Sequence, residues 1–160
     1  MIGATAYDWW FFVHIVGVLG FVMSHGTSAG ASFQLRHERN PDRIRALLQV
    51  STASTGAFYA SIVLLLVGGI VTGFLGHWWG QGWIWTALIL LFVTMGAMYA
   101  VATPYYRKVR RLMQMEEAGS QAVGPQEIER VMREGRPGVI ALIGGIPLLF
   151  IAYLMVVKPY

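Results

Sequence analysis

Four histidines are the side chains here best suited to chemistry, since an imidazole ligates a haem or metal and titrates near neutral pH. His14 and His25 lie eleven residues apart. On a helix that spacing is three turns plus about 20° of rotation, so both rings are expected on one face, ~16 Å apart along the axis. The separation is too great for one metal ion and suits two cofactors, or one cofactor and a polar pocket. His77 stands beside Trp78 and Trp79 on the same side as His14, and a haem between His14 and His77 is geometrically conceivable in an antiparallel helix pair. Each also has a structural reading. His14 and His25 can be interhelical polar groups bonding hydroxyls or carbonyls, and His77 an interfacial anchor in an aromatic turn. His37, between Arg36 and Glu38, reads as a solvated helix-end residue. The sequence has no cysteine, which excludes disulfides, thiolate metal sites and covalent haem attachment, so any cofactor is held by His, Met, Tyr or backbone.

A second group is a concentration of hydroxyls at one depth. Ser24, Thr27, Ser28 and Ser32 share a half-segment with His25, Ser51, Thr52, Ser54, Thr55, Tyr59 and Ser61 face them, and Tyr99 and Thr103 add to the group. Together they can line a polar cavity that takes haem propionates, a small polar ligand or a proton path. They equally serve close helix packing, as do the patterns Gly26-x-x-x-Gly30 and Gly69-x-x-x-Gly73. No carboxylate lies within an apolar segment, so the relay of proton-coupled pumps is missing. Neither a His-Glu-x-x-His pattern nor a phosphate-cradling glycine loop occurs. Met95 and Met98 read as core fillers, with a soft axial-ligand role as the alternative.

Membrane helices must position these residues. Residues 9 to 34, 46 to 106 and 137 to 157 contain no Asp, Glu, Lys or Arg, and crossing ~30 Å of hydrocarbon takes roughly 20 mostly apolar residues. The long middle stretch holds two such segments around the polar break 76–82. Four spans are therefore expected, at about 9–36, 47–75, 83–106 and 138–157, with 107–136 as a cytoplasmic segment. The fold class is all-α: a polytopic, antiparallel four-helix transmembrane bundle forming one domain over residues 1–160. Charged residues make up 12% of the chain, against about 25% in soluble domains, which leaves no room for a soluble catalytic domain. Asp8 precedes the first span where a signal peptide carries a basic region, so that span is expected to stay in the mature protein.

Eleven of the twelve Lys and Arg lie between Arg36 and Arg45 or between Arg107 and Arg136. By the positive-inside rule both segments face the cytoplasm of a bacterium, with the termini and the 76–82 turn outside its plasma membrane. The net charge of +4 is thus a topology signal. No nucleic-acid partner is expected; the bilayer is one, and a homo-oligomer or membrane-complex partner stays open. Asp42 is expected to cap the second helix, Pro104 permits a kink in the third, Gly119 to Gly124 reads as a turn, and Pro125 opens a short charged helix. Lys158 is placed to snorkel from a span end.

The stretches Phe12-Val13-His14-Ile15-Val16-Gly17, Leu35-Arg36-His37-Glu38-Arg39-Asn40-Pro41, Gly82-Trp83-Ile84, the Pro104 to Arg111 exit and Leu154-Met155-Val156-Val157-Lys158-Pro159 resemble a bacterial family of predicted four-helix integral membrane proteins of unknown function. The resemblance covers nearly the whole chain. The opening His-Ile and closing Lys-Pro are also distantly similar to HemJ-type protoporphyrinogen oxidases, and the opening to the membrane domain of CopD-type copper proteins. The first of these likenesses implies a b-type haem with His14 as the first-helix ligand, and brings His37 near that family's second histidine. It stops at the third helix, where Trp85-Thr86-Ala87 stands in place of a His-x-Lys motif. The expected function is a multi-pass membrane protein binding a b-type haem or other small ligand through His14, His25 and His77 in a redox-related role. A non-enzymatic assembly or interaction subunit, and copper or small-metabolite transport, are the alternatives.

Overall fold

Helix α1 (Ala6–Leu35) starts before the charge-free run because Thr5 and Asp8 form a capping box. Thr5 Oγ1 accepts from the Asp8 amide at 3.3 Å, and Asp8 Oδ2 accepts from the Thr5 amide at 2.8 Å. In the computed structural model, which describes residues 4–118, 124–134 and 137–159, there follow α2 (Pro41–Leu75), α3 (Gly82–Glu117), α4 (Pro125–Glu134) and α5 (Pro137–Val157). Among the described residues four helices are long and apolar enough to cross a membrane, and there is no strand. The expected all-α, four-span architecture is therefore what is found.

Element ends follow local chemistry. Pro41 takes the first position of α2, and the cap is Asn40, whose Oδ1 accepts from the amides of Asp42 at 2.9 Å and Arg43 at 3.4 Å. Asp42, expected to be the cap, pairs with Arg45 at 2.8 Å instead. Helix α3 continues through Pro104 to Glu117. The turn expected at Gly119 to Gly124 lies outside the described residues except for Gly124, as do Gly135 and Arg136.

α1 and α2 form an antiparallel hairpin packed along most of its length. α5 lies on α3 and also touches α1, which gives the lateral order α2, α1, α5, α3. Lipid tails are as apolar as leucine, so helices in a bilayer gain by close backbone approach rather than by hiding from solvent. Gly17 meets the backbone of Leu64 and Leu65, Gly20 meets Ser61, and a Cβ at Gly68 would stand 2.6 Å from the His14 backbone nitrogen. Gly26 and Gly30 have nothing within 4 Å. The expected Gly26-x-x-x-Gly30 contact is therefore replaced by Gly17 and Gly20 against Ser61, Leu65 and Gly68.

Two apolar cores result. The outer one joins all four spanning helices through Phe21, Leu65, Ala87, Leu91, Ile151 and Leu154. Lys158 closes it, its Nζ lying 4.0 Å from the Trp78 ring centroid, a cation–π seat more defined than the snorkelling expected. The second core sits at the basic end, where Ile128, Val131 and Met132 of α4 pack on Leu35, Ile44, Tyr106, Val109 and Met113. Ten residues are too few for a lone stable helix, so this apolar face holds α4 in place.

Gly68→Val should destabilise the protein by about 1–3 kcal/mol or more, because the opposing atoms are backbone and cannot yield. Gly26→Ala, facing open space, should be neutral or stabilising by up to about 1 kcal/mol. Unfolding in mixed micelles followed by circular dichroism separates the two; equal losses would contradict the seam.

Candidate functional site

His14 is buried in the α1–α2 seam. Its Nδ1 lies 2.8 Å from the Leu65 carbonyl oxygen, to which only a protonated nitrogen can donate, so Nε2 carries the lone pair in the neutral ring. The glycines opposite form the slot: a Cβ at Gly69 would stand 2.9 Å from His14 Nδ1 and 3.1 Å from Cε1. On that side the space fits an imidazole and nothing larger.

His25 goes elsewhere. Its ring reaches α5, lying against Gly144 and facing the Ala141 backbone. The two rings expected on one face thus serve different neighbours, His14 tying α1 to α2 and His25 tying α1 to α5. His77 is exposed in the outer turn with φ 56° and ψ 34°, a left-handed conformation that caps the 3-10 turn Trp78–Gly80. It lies roughly 13 Å along α2 from the level of Gly68 and His14. The structure does not bring His14, His25 and His77 together, and among the described residues no three of His, Asp or Glu converge as a metal set.

Several of the hydroxyls expected to line a cavity are spent on backbone. Thr27, Ser32, Thr52, Thr55 and Ser61 each donate to a carbonyl three or four residues back on their own helix. One chain crosses between helices. Tyr106 Oη donates to the Ser28 carbonyl at 2.6 Å, the Ser28 and Ser54 hydroxyls are 2.7 Å apart, and Ser54 donates to the Ser51 carbonyl at 2.9 Å. Tyr106 therefore locks α3 to the α1–α2 hairpin, a role no sequence signal distinguishes from that of its neighbour Tyr105.

Residues 10–159, nearly the whole chain, match the family described as "Predicted integral membrane protein (DUF2269)". The chain belongs to the DUF2269 family. The four apolar helices fit that description, and the sequence resemblance to an uncharacterised membrane family is the one found. No curated protein and no solved structure matches this DUF2269 chain, so the HemJ and CopD likenesses rest on their short motifs alone.

A cleft of this DUF2269 protein lies at its basic end, away from the histidines of α1. It measures about 290 Å³ and is lined by Arg36, His37, Glu38, Arg39, Glu129 and Arg133. Glu129 bridges two of these, with Arg133 at 3.1 Å and Arg39 at 3.4 Å. Glu38 accepts from the amides of Asn40 at 3.0 Å and Arg39 at 2.9 Å. Those amides, Asn40 first, and more weakly the Arg43 charge, hold its carboxyl below the ordinary value of 4.5. A lowered pKa in the folded state means the carboxylate stabilises the turn fully above 4.5, and that support is lost as pH falls through the lower folded value. Protection of the Arg39 and Asn40 amides from hydrogen exchange should be flat from neutral pH down to 4.5 and fall below it. Glu38→Gln should remove that step.

Proposed function

We propose that this DUF2269 protein is a multi-pass protein of a bacterial plasma membrane, its basic end in the cytoplasm, working as a non-enzymatic assembly or interaction subunit. One observation carries this reading: the two histidines of α1 and many of the hydroxyls near them are engaged by the protein itself, within or between helices. His14 is spent on Leu65 and the glycine slot, His25 on α5, and the hydroxyls on backbone carbonyls. What the protein offers to others is surface, namely apolar spans and a folded basic cap built on α4. Extraction into polymer nanodiscs and native mass measurement should give a defined assembly heavier than the 17.7 kDa chain. A monodisperse, partner-free monomer would remove this reading.

A second reading has its own support. A histidine whose Nδ1 is fixed by a carbonyl has its tautomer and ring orientation set, the arrangement that backbone partners give to haem and metal ligands. On that reading His14 is the axial ligand of a b-type haem in a redox-related role, and His25 and His77, which lie apart from it, do not complete the pair. Protein produced with haem supplementation should then show a Soret band that His14→Ala abolishes. Absence of the band, or a band unmoved by the substitution, rules this out.

A further inference from the structure

We infer that the basic-end cleft holds the phosphate headgroup of an anionic phospholipid. The cleft opens where α1 ends at Leu35, immediately beyond a charge-free run of helix, and this boundary between apolar span and water is the depth at which lipid phosphates lie. Its lining carries three guanidinium groups, Arg36, Arg39 and Arg133, against two carboxylates, Glu38 and Glu129. With Arg43, which faces Glu38 from outside the lining, the cations outnumber the carboxylates, an excess that favours a phosphodiester.

Within this excess Arg36 is the lining guanidinium that no carboxylate faces among the described residues. Arg39 and Arg133 share Glu129, and Glu38 is occupied by two backbone amides and faces Arg43 at 3.9 Å. Among the described residues Arg36 has no carboxylate partner, although its side chain is exposed on the cleft wall. The Tyr105 hydroxyl, buried and without a hydrogen-bond partner, lies within electrostatic reach of Arg36. A guanidinium fork that spends none of its donors on protein is the group best shaped to take two phosphate oxygens. The membrane depth of the cleft favours a lipid phosphate over a soluble one.

The test uses the full chain in nanodiscs of phosphatidylcholine alone or mixed with phosphatidylglycerol, followed by native mass spectrometry of what the protein retains. Wild type should keep a single phosphatidylglycerol in preference to phosphatidylcholine. Arg36→Gln should retain it about fivefold less, and adding Arg133→Gln about fivefold less again, the weight of one cationic side chain at the membrane surface. Arg107→Gln, with the same change in net charge outside the cleft, should retain it as wild type does. Equal losses from Arg36→Gln and Arg107→Gln would show only the diffuse field of the basic end and overturn the site. Displacement of the lipid by inorganic phosphate would overturn the lipid assignment. Should a cleft variant fail to fold, wild type still decides, because retention of phosphatidylcholine as readily as phosphatidylglycerol sinks the proposal.

Discussion

The close approach of α1 and α2 is the constraint on which the rest of the structure depends. Inside hydrocarbon every backbone polar group is already satisfied within its helix, and burying leucine against leucine gains little over burying it against lipid. What remains is contact at short range, which small side chains permit and glycine most of all. Gly17 lets the Leu65 backbone come close, and Gly68 does the same for His14. That closeness brings the His14 ring within hydrogen-bonding distance of a main-chain carbonyl on the neighbouring helix. With the hairpin fixed, α5 has a surface on which to lie, and α3 packs on α5 and is tied to the hairpin by Tyr106.

Much of this architecture was legible in the sequence, because charge exclusion from hydrocarbon is a strong, local and one-dimensional signal. Asp, Glu, Lys and Arg are absent from the apolar stretches at the heart of the spanning helices, and helices begin where prolines and asparagine stand, at Asn40-Pro41 and Pro125. The start of α1 was missed by a few residues because Thr5 and Asp8 act as a reciprocal pair, a pattern that charge counting overlooks. In α4 the charges dilute the stripe of Ile128, Val131 and Met132, so its apolar face stands out less in the sequence than in the fold.

The candidate site was less legible, for a physical reason. Residue type and spacing report which face of a helix a side chain occupies, but not which neighbour meets that face. His14 and His25 differ by only about 20° on α1, yet one meets the glycine slot of α2 and the other Gly144 of α5. Gly26 and Gly30 have the spacing of a packing motif, yet the register of the partner helix puts Gly17 and Gly20, three residues apart, in the seam instead. The hydroxyls posed the same ambiguity. A serine that bonds its own helix and a serine that lines a water-filled channel look alike in a sequence, and here the first kind prevails.

The destination of His25 has a consequence for how the protein is made. α1 and α2 are neighbours in sequence and can zip together as soon as both have entered the bilayer. The ring of His25 instead finds its place against Gly144 of α5, the last of the four spans to be synthesised. Until then a polar imidazole projects from a completed hairpin, and leaving it in lipid is unfavourable. The growing chain therefore carries a built-in incentive to admit its final helix on one particular side of α1.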